Sequence, residues 1–271
     1  MKLAVMSDIH GNLPALKLVI EDIVKQKADE IYSLGDQVGL FPRLGEVLDL
    51  LDEHGVTCLS GNFEESNFDQ TDDRFLRWIA EQKGDRDFGI LPCVLRIERE
   101  GVQIVMTHKE EDAECPEGGL HLFGHTHKDF YERGKSKILL NPGSVGTPRG
   151  IINLPEARYA LLEINDGIIQ ITHRSLTYSA EPIWRDFIDS GCYEVNPFLS
   201  RLIMEMICTG ESNALIGRFF RHAKSMISAD GTDNADIPAY PHNIWEKAAE
   251  SFSWMLPNKF EDLLNHGGKL F

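Results

Sequence analysis

The chain has 271 residues, 42% hydrophobic and 26% charged, enough to bury a full core as one large domain or two unequal ones. Its formal net charge of −16 argues against broad binding to a polymeric nucleic acid or an anionic membrane, so an anionic substrate would need a local counter-charge. No apolar run approaches the roughly 20 residues of a membrane span. The cysteines (Cys58, Cys93, Cys115, Cys192, Cys208) are odd in number and form no CxxC pair. With a first strand starting at the N-terminus and no signal peptide before it, they are expected to be reduced thiols of a cytoplasmic protein.

Leu3–Met6 is a short apolar run that reads as a buried strand, ending in Ser7-Asp8-Ile9-His10. Leu13, Leu16, Ile20, Ile23 and Val24 follow at helical spacing, so the pattern predicts a helix over 13–27. Ile31–Leu34 reads as a second strand ending in Gly35-Asp36, and Leu44, Val47, Leu48 and Leu51 as a second helix. Val56–Leu59 reads as a third strand ending in Gly61-Asn62. This βαβαβ succession implies a parallel sheet with right-handed crossovers.

Residues 63–90 are less regular, with a helix expected around Asp73–Gln82. Val94–Ile97 and Val102–Met106 flank Glu100-Gly101 as a hairpin whose second strand ends in Thr107-His108. An acidic loop, Lys109–Gly119, leads to Leu120–Phe123 and then Gly124-His125-Thr126-His127. Lys137–Leu140 ends in Asn141–Gly146, expected to form a tight loop at the sheet edge. Tyr159–Ile164 and Ile168–Thr172 flank Asn165-Asp166-Gly167, a strong hairpin signal. After Thr177 strand-like runs give way to helical ones, as in Phe198–Cys208, Ala214–Met226 and Asn243–Leu256, with a polar loop at Ser228–Pro241. The expected division is an α/β domain over 1–177 and a helical extension over 178–271.

Apolar runs in this chain repeatedly end in a group able to ligate a metal: Asp8-x-His10, Gly35-Asp36, Gly61-Asn62, Thr107-His108 and Gly124-His125-Thr126-His127. One such ending is an ordinary turn. The whole series, expected to follow strands of one sheet, points to a shared site at the carboxyl ends of the strands. Mixed nitrogen and oxygen donors of this kind suit Mn²⁺, Fe, Zn²⁺ or Ni²⁺.

In that order, DxH, GD, GN, H and GHxH resemble the calcineurin-like metallophosphoesterases, in particular the small bacterial and archaeal phosphodiesterase branch. GDQVGLFPRLGEVLDLL at 35–51 and NPGSVGTPRG at 141–150 strengthen the resemblance, which covers residues 1–176. It implies a four-layer αββα sandwich with a helical C-terminal cap over the metal face. It also implies two divalent cations, Mn²⁺ first among them, bridged by Asp36. One would be held by Asp8, His10 and His127, the other by Asn62, His108 and His125. A hydroxide bridging the cations would attack phosphorus in line. Some members with a helical extension hydrolyse diadenosine polyphosphates.

Many members read GNH[DE], and that His is thought to protonate the leaving oxygen. Here Phe63 takes its place, which leaves the general acid unassigned. General acid help is typically worth roughly 10²–10⁴-fold, so substrates with acidic leaving groups, such as dinucleoside polyphosphates or aryl and nucleotide diesters, should suffer least. Phe63 could stack on a base or serve as a plain apolar contact. Glu64 could relay a proton through water, but it is expected to be exposed and solvated. Arg149 could reach a phosphate or form a surface salt bridge. Arg218, Arg221 and Lys224 lie on one helical face, as part of a lid or as a solvated face. The rival readings are a catalytically weak scaffold for protein partners, as in the retromer subunit that resembles this family, and a nuclease. Whether the chain forms a homo-oligomer is left open.

Overall fold

Both faces of the first strand are apolar, and that puts it at the centre of the molecule. The computed structural model describes residues 1–65, 74–149, 155–209, 212–226 and 242–254. Strand β1 (Lys2–Met6) pairs in parallel with β2 (Glu30–Ser33), which pairs in parallel with β3 (Thr57–Cys58). On its other side β1 runs antiparallel to β9 (Glu156–Asn165), and β9 to β10 (Ile168–Thr177), completing the order β10-β9-β1-β2-β3. A second sheet has the order β4-β5-β6-β8-β7, from β4 (Val94–Arg99), β5 (Val102–Thr107), β6 (Leu120–Phe123), β7 (Asp129–Arg133) and β8 (Ile138–Pro142).

Side chains alternate across a strand, so Leu3 and Val5 enter the core between the sheets with Ile104, Met106, Leu120, Leu122 and Leu140. Ala4 and Met6 face the opposite way, into a core shared with helices α1 (Leu13–Gln26) and α2 (Leu44–Glu53). The Asn12 side chain caps α1 by accepting from the Ala15 N–H at 3.2 Å, and Pro14 sits in the first turn, where its missing N–H costs nothing. Lys27, at φ 56°, ends the helix. On the second sheet's other face the 109–119 loop meets β6, through a 3-10 turn at Glu110–Asp112. His121 is buried there against the Thr107 hydroxyl.

The expected strands and helices of 1–177 recur with ends shifted by a few residues, α3 (Arg74–Lys83) included. Strand β7 is the addition. All five of its residues are exposed and charged or aromatic, and it lies on a sheet edge, so it lacks the apolar run that marks a buried strand. After β10 come α4 (Glu181–Asp189), α5 (Cys192–Val195), α6 (Pro197–Thr209), α7 (Ser212–Lys224) and α8 (His242–Ser251). Ile183, Trp184, Phe187, Cys192, Ile203, Met204 and Ile207 bury into the core of α1 and α2. Phe219, Phe198, Trp245, Phe252 and Trp254 build a separate core between α6, α7 and α8. The expected polar loop at Ser228–Pro241 lies outside the described residues. No described helix is long and apolar enough to cross a membrane.

Candidate metal centre

Past their ends, β1 and β2 stay zipped together. The Asp8 N–H donates to Gly35 O at 3.1 Å, the His10 N–H to Asp36 O at 2.9 Å and the Gly11 N–H to Gln37 O at 2.8 Å. The loop that follows β8, 143–146, closes the other side, with the Val145 N–H on Ser7 O and the Gly146 N–H on Asp8 O, both at 3.0 Å. This irregular backbone is strained. Asp8, His10, Asp36, His125 and His127 all have φ between 53° and 63°, the left-handed region that side chains other than glycine enter at a cost. Such strain persists where surrounding structure over-determines it, and it concentrates at functional sites. Gly61 is a glycine for space, since a Cβ there would strike the Asp36 carboxylate.

Seven side chains that the sequence singles out meet at these loops. Asp8, His10 and His127 bring ligand atoms within 4.8 Å of one another, as do Asp8, Asp36 and His108. His10 Nε2 stands 3.2 Å from His127 Nε2, and His127 Nε2 stands 3.3 Å from Asp8 Oδ1. Asp36 Oδ2 faces His108 Nε2 at 3.3 Å and His10 Nε2 at 3.9 Å, while its Oδ1 is held by the Phe63 N–H at 2.9 Å. Asn62 Oδ1 lies 3.0 Å from both His108 Nε2 and His125 Nδ1. One carboxylate oxygen thus faces both halves of the cluster.

Hydrogen-bond chemistry tests whether this set fits a cation. Leu34 O faces His108 Nδ1 at 2.9 Å, Val38 O faces His10 Nδ1 at 3.2 Å and Thr147 O faces His127 Nδ1 at 2.9 Å. A carbonyl only accepts, so each Nδ1 carries a proton, and whenever such a ring is neutral its Nε2 turns a bare lone pair inward. Two such lone pairs at 3.2 Å, beside the buried Asp8 Oδ1 that has no hydrogen-bond partner, repel unless a proton or a cation lies between them. Tethering the second ring nitrogen in this way is how proteins orient metal-ligating histidines. The donor set fits divalent transition metals.

Electrostatics agree. Burial by itself would raise the Asp8 carboxyl, but the neighbouring imidazoles, His127 foremost, hold it well below the usual range. Burial and His127 push His10 down to about 4, which leaves its lone pair free. Burial also opposes charge on His108, yet its hydrogen bond and attraction to Asp36 prevail and lift it to about 9. With the folded value above the unfolded 6.5, His108 contributes stability that is complete below pH 6.5 and lost as pH rises through 9. In a chelating buffer the melting temperature should therefore fall between pH 7 and 9. His108→Gln, or saturating Mn²⁺, should flatten that slope in a thermal melt.

Glu64 corrects a sequence expectation. It is 6% exposed, and its carboxylate accepts three backbone N–H groups: Asp36 and Gly61 at 2.8 Å on Oε2, and Val38 at 3.0 Å on Oε1. Burial and the Asp36 charge raise it to about 7 against the pull of those N–H groups. Phe63 lies edge-on to the His10 ring at 4.9 Å. Arg149 is half-buried, its N–H donates to His127 O at 2.9 Å, and burial lowers its guanidinium while Asp8 attracts it. Arg218 and Arg221 are exposed on α7, which packs against α6 and α8. Sequence reasoning missed Ser144, whose hydroxyl donates to Asp8 O at 2.8 Å, and Thr147, whose hydroxyl lies 2.7 Å from His127 Nδ1.

Comparison with known proteins places the chain. Residues 1–167 match the calcineurin-like phosphoesterase superfamily domain. The chain is 28% identical to an uncharacterised protein of Methanocaldococcus jannaschii, MJ0912, over 211 residues, covering 62% of this chain and 85% of that one. It is also 28% identical to the phosphodiesterase YfcE of Escherichia coli over 165 residues, 55% of this chain and 82% of that one. Among solved structures, a metallophosphoesterase from Sphaerobacter thermophilus aligns with a TM-score of 0.58 at 23% identity, covering 70% of this chain and 95% of that one. PH1004 from Pyrococcus horikoshii aligns with a TM-score of 0.59 at 19% identity, covering 73% and 97%. Strained strand ends, converging ligand groups and this match lead to one assignment: the chain belongs to the calcineurin-like phosphoesterase superfamily.

Proposed function

We propose that this protein is a cytoplasmic phosphodiesterase with a dinuclear metal centre, acting on a small phosphorylated or nucleotide substrate with an acidic leaving group. The observation that carries the reading is the Asp36 carboxylate, whose Oδ2 faces His10 on one side and His108 on the other. Asp8, His10, Asp36 and His127 would hold one cation, and Asp36, Asn62, His108 and His125 the other, with Mn²⁺ the first choice and Fe, Zn²⁺ or Ni²⁺ as alternatives. Bound cations supply Lewis acidity and a more acidic water.

The chain's own groups do the rest. The Phe63 N–H fixes Asp36 Oδ1, so that Oδ2 alone is turned to the centre. The Leu34, Val38 and Thr147 carbonyls fix the imidazole tautomers. Arg149 offers a cation to a phosphate oxygen on the Asp8 side. Phe63 presents a hydrocarbon ring with no proton to give, so the leaving oxygen departs on its own acidity. In this reading residues 1–177 carry the chemistry and 178–271 form the helical extension, with no step assigned to Arg218 or Arg221.

Purified protein with Mn²⁺ should release nitrophenol from bis-p-nitrophenyl phosphate, and a chelator should stop it. Diadenosine tetraphosphate should turn over faster than a simple alkyl monoester. Absence of metal-dependent release would favour a scaffold for protein partners, and equal rates would remove the leaving-group argument. Cleavage of DNA in a gel assay would point to a nuclease.

A further inference from the structure

The 36–43 loop joins β2 to α2 without regular structure and does much of the positioning at the centre. It starts with Asp36, and its Val38 carbonyl accepts from His10 Nδ1. The His10 ring lies against Gly39, whose φ of +146° a side chain rarely adopts. Glu64 grips the near end of this loop, through the Asp36 and Val38 N–H groups. Its far end is gripped from beyond the segment that matches the family, which stops at residue 167. Phe41, 1% exposed, meets the Phe187 ring at 6.0 Å and an interplanar angle of 60°. Arg43 Nε donates to Asp186 Oδ1 at 3.0 Å. Both partners belong to α4, which is itself anchored by Ile183 and Trp184 in the core of α1. Just ahead of α4, the Tyr178 hydroxyl accepts from Asn12 Nδ2 at 3.0 Å, two residues past His10.

We infer that α4 is a brace for the candidate metal centre, with Asp186 and Phe187 as positioning residues that hold the 36–43 loop against His10. The inference rests on the metal reading for its consequence, though not for its geometry. The Phe41 N–H donates to His10 O at 2.8 Å. A loop released at Phe41 and Arg43 therefore loosens the His10 backbone and the carbonyl that sets its tautomer. The helical extension thereby gains a role at the site while contributing no ligand among its described residues.

The test uses the full chain with Asp186→Ala, Phe187→Leu, Asp186→Glu and, as control, Arg185→Ala, an exposed residue paired with Glu181. Two readouts are taken: Mn²⁺ titration calorimetry, and backbone hydrogen exchange of the chelator-treated protein. Asp186→Ala and Phe187→Leu should weaken Mn²⁺ binding by about tenfold, the scale of lost outer-shell support. They should also speed exchange in 36–43 while β1 and β9 stay protected. Asp186→Glu should restore most of both effects, and Arg185→Ala should change neither. Unchanged exchange in 36–43 overturns the brace, and so does acceleration spread equally over β1 and β9. So does wild-type Mn²⁺ affinity in both variants. A wild-type chain that takes up no Mn²⁺ removes the metal reading instead, and exchange alone then decides the brace.

Discussion

Asp36→Ala should reduce metal-dependent release of nitrophenol from bis-p-nitrophenyl phosphate by at least about a thousandfold, or roughly 4 kcal/mol of transition-state stabilisation. Lewis-acid stabilisation at a two-metal centre is worth several kcal/mol, and Asp36 is the side chain turned towards both halves of the cluster. Its loss also leaves the Phe63 N–H without its acceptor and removes the negative charge that raises Glu64. Losing the Phe63 acceptor and the His108 partner destabilises while relief at Glu64 stabilises, so the variant should fold with a somewhat lower urea midpoint in chelating buffer. A native circular dichroism spectrum, together with lost activity and fewer bound Mn²⁺ ions, is the expected combination. Full activity in a variant with fewer bound ions would separate the reaction from the centre.

Much of this site is legible in the sequence because strand ends are legible. Apolar runs such as Leu3–Met6 and Leu120–Phe123 fix where a buried strand stops. The pattern reads those stops as the edge of one sheet, whereas β1 and β2 belong to one sheet and β5 and β6 to the other, and the ends of both meet at the site. Asp8, His10, Asp36, His108 and His125 therefore stand together as the motif order implies. Supporting contacts leave no such trace. The groups that set the tautomers are the carbonyls of Leu34, Val38 and Thr147, and every residue type has a carbonyl. Glu64 reads as solvated because its acceptors' partners lie as far as 28 residues away and are backbone N–H groups. Strand β7 escapes notice because an exposed edge strand needs no apolar alternation. The grip of α4 on Phe41 and Arg43 joins residues more than a hundred positions apart, a distance at which periodicity carries no information.

Glu64 should be among the most sensitive positions for stability. Its two oxygens accept from three buried backbone donors, and a buried N–H left without a partner costs about 1–3 kcal/mol. Glu64→Gln keeps the shape but turns an NH₂ towards at least one N–H, donor against donor. A loss of about 2 kcal/mol is expected from this substitution. Glu64→Ala strands all three donors and opens a cavity, for a loss of about 4 kcal/mol once entering water has recovered part of the cost. Urea unfolding in a chelating buffer measures both. Two of the donors belong to the loop that carries Asp36, and the third is Gly61, next to Asn62. The same carboxylate thus sets the spacing between the two loops. Mn²⁺ affinity should fall along with stability in both variants, and more in Ala than in Gln. If Glu64→Ala unfolds at the wild-type urea concentration, those three hydrogen bonds do not hold the loops together, and the fixed spacing of Asp36 and Asn62 must have another origin.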